Sequence, residues 1–153
     1  MLVKKTNTYA AGFTLIELLV VIFIIGILAA LLLANFVGVR ERTTDAKIKN
    51  DLRALKTALR LYYNDYNGYP DVTDVPAAGS ETAFTNDDES TVYMKQVPAE
   101  FSYNVSADGE EFLLYAALDN LSDEDVAESR ARCCAGSLAC PDEAGNYYII
   151  CED

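Results

Sequence analysis

Residues 12–39 read GFTLIELLVVIFIIGILAALLLANFVGV, and this stretch decides the architecture of the chain. From Phe13 to Val39 the only charged residue is Glu17. A helix rises about 1.5 Å per residue, so this run makes a helix of about 40 Å, longer than the roughly 30 Å hydrocarbon core of a bilayer. The sequence therefore predicts a helix over residues 13–39 that spans a membrane.

The residues that precede this helix predict its orientation. Residues 1–12 contain two basic side chains, Lys4 and Lys5, and no acidic one. Positive charge favours the cytoplasmic side, so we expect a single-pass protein of the cytoplasmic (inner) membrane with its N-terminus in the cytoplasm and residues 67–153 outside. A cleaved secretory signal would end at small residues, and alanines do occur late in the run. Apolar residues continue past them, however, which favours retention of the helix.

Beyond Val39 the helical pattern continues with a single apolar stripe, whose residues recur at intervals of four and three. Charged residues occupy the other faces, where Asp45 and Lys49 have the i,i+4 spacing of an ion pair. The sequence Asn67-Gly68-Tyr69-Pro70 then supplies the glycine and proline that usually end a helix. We therefore predict one helix from about 13 to 66, in which residues 40–66 bury the stripe. The stripe consists of Ile48, Leu52, Leu55, Leu59, Tyr62 and Tyr66.

The C-terminal part of the chain predicts a small antiparallel sheet. FSYNV at 101–105 and FLLYAAL at 112–118 flank a turn and form a hairpin, and residues 147–151 give a third strand. Residues 71–90 read as an exposed excursion, and residues 119–132 as an acidic loop or a short helix. A sheet laid on the helical stripe buries both apolar surfaces. The expected fold class is therefore α+β, with a long N-terminal helix packed on a small β-sheet head.

Charge is unevenly distributed along the chain, whose formal net charge is −12. Residues 67–153 hold nineteen acidic and three basic side chains, whereas residues 13–66 hold five acidic and seven basic ones. An acidic head repels phosphate groups, so we expect no nucleic-acid binding by it. The chain has no histidine, no nucleophile beside an evident base and no glycine-rich phosphate loop after a strand. We therefore predict neither enzymatic activity nor a cofactor.

The four cysteines, Cys133, Cys134, Cys140 and Cys151, all lie in the last 21 residues, beyond the predicted membrane helix. Outside the cytoplasm, cysteines grouped in this way favour disulfides. Adjacent cysteines rarely bond to each other, so Cys133 and Cys134 should each pair with Cys140 or Cys151, which leaves two connectivities open. The alternatives are free thiols or a zinc site built from all four, although the spacing lacks paired C-x-x-C knuckles.

The region around Gly12 closely resembles the class III signal of type IV prepilins and type II secretion pseudopilins. It combines a short basic leader, Gly12 just before Phe13, a glutamate four residues after Phe13 and an unbroken apolar helix. The resemblance implies that a prepilin peptidase cleaves between Gly12 and Phe13, removes the leader peptide 1–12 and methylates the new amino group. It also implies that the mature chain polymerises into an extracytoplasmic filament with itself and related pilins, on a pilus or secretion assembly platform.

A carboxylate at position 17 needs a physical explanation, because a charge at the centre of a membrane helix costs roughly 2.5 to 3.5 kcal/mol. The resemblance implies that Glu17 pairs with the amino group of Phe13 in a neighbouring subunit during filament assembly. The alternative is local: Glu17 lies one turn into the helix, so it can reach the lipid headgroups and favour the positive end of the helix dipole.

Major pseudopilins often bind calcium through carboxylates of head loops, and two groups of acidic and amide residues raise that question here. Their spacing matches no EF-hand loop, so we interpret them as a solvated acidic surface and predict no metal site. The groups are Asp119, Asn120, Asp123, Glu124 and Asp125, and Asp142, Glu143 and Asn146.

Taken together, these features predict a structural filament subunit with four segments. These are a leader at 1–12, a transmembrane and assembly helix at 13–39, an amphipathic helix at 40–66 and an acidic, disulfide-containing head at 67–153. Before assembly the partner of the apolar helix is membrane lipid. Alternatives within the same family are a type II secretion or DNA-uptake pseudopilin. An alternative of another class is a membrane-anchored binding module that never polymerises.

Overall fold

The computed structural model describes residues 12–136 and 138–152, except for the side chains of residues 32–37. The leader lysines, Lys4 and Lys5, lie outside the described residues. The chain divides into two compact units, the first ending at Val37 and the second beginning at Gly38. Helix α1, which runs from Leu15 to Tyr66, contributes to both units.

The bounds of α1 confirm the predicted long helix of about 13 to 66. Leucine, isoleucine and valine dominate its first half and no proline interrupts it, and leucine is among the best helix formers. Across residues 12–136 and 138–152, no helical stretch combines the length and the apolarity needed to cross a bilayer.

In the second unit, α1 buries the predicted apolar stripe. Leu52, Leu55 and Leu59 are fully buried, whereas Tyr66 at the end of the helix is 48% exposed. The helix stops where Asn67 adopts the left-handed conformation with a φ of 55°, while its N–H donates to the carbonyl of Tyr63 at 2.7 Å. Asparagine tolerates this conformation, which closes many helices, so Asn67 rather than the glycine after it ends α1.

The three predicted head strands form one antiparallel sheet, which confirms the α+β fold class. Strands β3 (Ser102–Val105), β4 (Phe112–Ala117) and β5 (Tyr147–Cys151) are arranged in the order β3-β4-β5. The β3–β4 turn is closed by a hydrogen bond from Gly109 N–H to the carbonyl of Ser106, at 3.0 Å. Gly109 has a φ of 71°, a conformation that glycine adopts without steric cost.

A layer of helix covers each face of this sheet in the head. Alternate strand residues, among them Phe112, Leu114 and Ile150, pack with the leucines of α1 in the larger cluster of buried side chains. Leu113 and Ile149 point to the opposite face, where they pack with Cys133 at the end of helix α2 (Glu124–Cys133). Successive residues of a strand point to opposite faces of the sheet, so the strands supply apolar side chains to both α1 and α2.

The interpretation of residues 71–90 as an exposed excursion was partly wrong. Strand β1 (Phe84–Thr85) pairs with β2 (Val92–Met94) in a separate antiparallel ribbon. Phe84 is fully buried, with its ring 5.7 Å from that of Tyr62 and 5.3 Å from that of Tyr93. Phe84, together with the buried Val75 and Asn86, thus anchors a segment whose composition is otherwise typical of a loop.

Candidate assembly site

Glu17 takes part in a reciprocal cap at the start of α1. Its Oε2 accepts hydrogen bonds from the backbone N–H and from the hydroxyl of Thr14, both at 2.8 Å. In return, the N–H of Glu17 donates to Oγ1 of Thr14 at 3.3 Å. Thr14 stands just before the first helical residue, so T-x-x-E at 14–17 is a capping box, which satisfies backbone donors that a helix end leaves unpaired.

The capping box gives Glu17 a local role at the start of α1, in addition to the headgroup contact and the attraction to the helix dipole that were expected from the sequence. A threonine three residues before a glutamate, ahead of an apolar run, was the signal for it. The bonds from Thr14 all reach Oε2. Oε1 accepts no hydrogen bond from the described residues 12–136 and 138–152.

The processing residues and the apolar run are exposed in the first unit. Gly12 would meet no atom within 4 Å if it carried a Cβ, and Phe13 is 84% exposed. From Leu15 to Leu31, every large apolar side chain is about half exposed or more. Soluble monomers rarely present continuous apolar patches of this extent, and such patches usually mark interaction with a membrane or another protein.

In the head, the predicted ion pair between Asp45 and Lys49 on an outer face of α1 was wrong. Both residues are buried, at 2% and 8% exposure, and both bind the segment that follows β4. The carboxylate of Asp45 accepts the backbone N–H groups of Asp119 and Asn120, each at 2.9 Å. The acidic segment thus lies against α1, which gives these two charged residues partners distant in sequence.

Lys49 binds the acidic residues at the N-terminus of α2. Its Nζ lies 2.7 Å from both carboxylate oxygens of Asp123 and 2.7 Å from Oδ2 of Asp125. Burial by itself lowers the pKa of the Lys49 ammonium, but the hydrogen bonds and charges of the two aspartates outweigh burial and raise it. The hydrogen bond from Lys49 and its charge lower the pKa of Asp125.

The second group of calcium candidates, Asp142, Glu143 and Asn146, lies beside another side-chain cation. Arg130 of α2 donates to the carbonyls of Pro141 and Asp142, each at 3.0 Å. The amide nitrogen of Asn146 donates to the carbonyls of Leu118 and Asn120, at 2.8 and 3.0 Å.

Lys49 holds the carboxylates of Asp123 and Asp125, so the interpretation of the first group as a solvated surface was wrong for these two residues. Asp142 and Glu143 of the second group are exposed, and Arg130 binds backbone carbonyls there, not carboxylates. Among the residues that the structure describes, no three histidine, cysteine, aspartate or glutamate side chains converge in a way that could hold a metal ion.

Both disulfides involve a cysteine at the C-terminal end of α2. Cys133 is bonded to Cys151 and Cys134 to Cys140, with Cα–Cα distances of 5.6 Å in each pair. This is one of the two connectivities that the sequence left open. The first bridge ties the end of α2 to β5, and the second closes the loop that follows α2.

Comparisons with known proteins agree with the resemblance at the N-terminus. The family model described as the prokaryotic N-terminal methylation motif matches residues 7–33. The chain is 41% identical over 71 residues to the type IV major pilin protein PilA of Myxococcus xanthus, covering 46% of this chain and 32% of that protein. It is 47% identical over 60 residues to the type II secretion system core protein G of Aeromonas hydrophila, covering 39% and 42%. No solved structure matches it significantly.

A longer alignment extends the similarity beyond the motif. The chain is 36% identical over 91 residues to the type II secretion system core protein G of Vibrio cholerae, covering 57% of this chain and 62% of that protein. The chain thus spans less than two thirds of the length of these curated relatives. The motif, the long helix with its α+β head and these relatives confirm the predicted resemblance: the chain carries the prokaryotic N-terminal methylation motif and is similar to a type IV major pilin and to type II secretion core proteins G.

Proposed function

We propose that the chain is a structural subunit, rather than an enzyme, of an extracytoplasmic filament of the type IV pilus kind. Before assembly it is held in the cytoplasmic membrane by residues 13–39, with residues 67–153 outside. A prepilin peptidase cleaves between Gly12 and Phe13 and methylates the new amino group. The mature chain then polymerises with copies of itself and related pilins through its N-terminal helix, on an assembly platform.

The observation that carries this proposal is the exposed apolar surface between Phe13 and Leu31. A side chain such as leucine or isoleucine contributes roughly 1.5 to 3 kcal/mol when it is fully buried, so this surface favours an apolar environment strongly. Lipid supplies that environment before assembly, and the helices of neighbouring subunits supply it afterwards. Because lipid and a helix bundle are similarly apolar, close packing and polar pairing must provide the specificity of assembly.

Glu17 is the charged residue between Phe13 and Leu31. We propose that its carboxylate binds the methylated amino group of Phe13 in a neighbouring subunit while Thr14 holds Oε2 in the capping box. The Thr14 N–H belongs to the peptide bond between residues 13 and 14, so cleavage after Gly12 leaves the cap in place. A buried ion pair of this kind favours one register of subunits more than it favours stability.

Two substitutions at position 17 separate the cap from the charge. Glu17→Gln keeps an oxygen that can accept from Thr14 but removes the charge, whereas Glu17→Ala removes both. We expect both variants to insert in the membrane and to enter filaments at least about tenfold less than wild type, which corresponds to about 1.4 kcal/mol. Quantitative immunoblotting of sheared filaments and of membranes measures this. Normal incorporation of Glu17→Gln would show that the charge is not required.

Mass spectrometry of the mature N-terminus tests the processing step. A chain that begins with methylated Phe13 supports the filament subunit, whereas an intact leader supports a membrane-anchored binding module. Imaging of filaments from cells that carry a tagged copy then distinguishes a surface pilus from a secretion or DNA-uptake pseudopilus. Cells in which the processed chain never leaves the membrane would contradict the filament proposal.

A further inference from the structure

The carboxylates of Asp123 and Asp125 converge on a single ammonium group. Lys49 Nζ lies 2.7 Å from three of their four oxygens, and Lys49 is 8% exposed. Calcium binds carboxylate oxygens at about 2.3 to 2.6 Å. The ammonium therefore occupies the place between the two carboxylates that a bound cation would need.

Other groups of this acidic segment also form hydrogen bonds within the chain. The backbone of Asp119 and Asn120 faces Asp45 through N–H donors, which repel a metal ion rather than bind it. The side-chain oxygen of Asn120 accepts the N–H of Ser122 at 3.2 Å. Oδ1 of Asp123 additionally caps α2 by accepting the N–H of Asp125 at 3.1 Å.

The position of Lys49 is determined by packing as well as by charge. Its Nζ lies 5.3 Å from the ring centre of Tyr148 in β5, a distance at which a cation is attracted to an aromatic face. Lys49 lies on α1 and is 8% exposed, so packing as well as charge places its ammonium at the start of α2.

From these contacts we propose that Lys49 supplies, from within the chain, the positive charge that calcium would otherwise supply to the segment 119–125. The head then folds and keeps its stability without calcium. Removal of the ammonium leaves two adjacent carboxylates without a counter-charge, and this pair becomes a site for a divalent cation. The inference concerns the folding of the head and holds whether or not the chain polymerises.

The full chain in detergent provides the test, with thermal unfolding followed by near-ultraviolet circular dichroism of the tyrosines. For wild type we expect the same midpoint within about 1 °C in millimolar calcium and in EDTA, and for Lys49→Met in EDTA a midpoint lower by roughly 5 to 15 °C. Calcium should restore at least about half of that loss, because the ion replaces the missing charge. Lys49→Arg, which keeps the charge, should remain unresponsive to calcium.

Two controls separate this site from general binding to an acidic head. Lys47→Met removes an exposed lysine two residues away and should leave the midpoint independent of calcium. The double variant Lys49→Met with Asp125→Asn lacks one of the carboxylates and should lose most of the response. Refolding of an unfolded Lys49→Met chain on addition of calcium would support the proposal. A wild-type midpoint that falls in EDTA, or a Lys49→Met variant that calcium does not stabilise, would overturn it.

Discussion

The buried carboxylate of Asp45 connects α1 to the acidic segment that follows β4. It is 2% exposed, lies on α1, and binds two successive backbone N–H groups of a segment 74 and 75 residues later. Backbone donors that are buried without a partner are costly, and a carboxylate that accepts two of them satisfies both at once. Asp45 therefore fixes the start of the 119–125 segment on the helix, next to the Lys49 contact.

We predict that Asp45→Ala lowers the free energy of unfolding by about 1 to 3 kcal/mol, because both donors lose their acceptor. Asp45→Asn should lose part of this amount, since its amide keeps one oxygen but presents an N–H₂ group to the second donor. Urea denaturation of the full chain measures the change. Asp51→Ala, on the same helix but outside this contact, is the matched control, and an equal loss in that variant would contradict a specific role for Asp45.

At the scale of elements, tyrosines connect the end of α1 to the sheet. The hydroxyl of Tyr103 in β3 donates to the carbonyl of Pro70 at 2.9 Å, just after the helix end. Tyr69 donates its N–H to the carbonyl of Gly109 in the hairpin turn and its hydroxyl to Glu152 beyond β5, at 2.8 and 3.0 Å. The short segment after α1 is thus held by both the hairpin and the C-terminal strand.

The raised pKa of Tyr69 predicts that the free energy of unfolding decreases at alkaline pH. Burial, followed by the hydrogen bond to Glu152, raises the pKa of Tyr69 to about 12 from an ordinary value of about 10. Because the folded state holds this proton more tightly, its contribution is fully present below about pH 10 and is lost as the pH rises through about 12. Urea midpoints measured across this range should fall less steeply for Tyr69→Phe than for wild type. Equal slopes would show that Tyr69 is not responsible.

For the molecule as a whole, the sequence predicts what local periodicity determines and misses what long-range contacts determine. The helical stripe and the strand alternation each have a period and the apolar run is unbroken, so the helix and the three-stranded sheet could be predicted from the sequence. The spacing of Asp45 and Lys49 suggested a pair on one helix face, because nothing in that spacing reveals the acidic segment they bind. Phe84 was missed for the same reason, since one aromatic residue in a polar stretch has no period.

The oxidation state of the four cysteines of the head tests the proposed membrane topology. Disulfides persist outside the cytoplasm and are rare within it, so the oxidation of Cys133, Cys134, Cys140 and Cys151 reports whether the head has crossed the membrane. We expect all four to be protected from alkylation in cells that express the wild-type chain.

Lysines at positions 21 and 24, in Val21→Lys with Ile24→Lys, should prevent this crossing, because each charge in the apolar helix costs about 2.5 to 3.5 kcal/mol on insertion. The head then stays in the reducing cytoplasm. All four thiols should then react with a maleimide coupled to polyethylene glycol, which reduces the mobility of the chain on a denaturing gel. The matched pair Val21→Ala with Ile24→Ala keeps the helix apolar and should remain oxidised. Protected cysteines in the lysine variant would mean that the exposed apolar helix does not carry the head across the membrane.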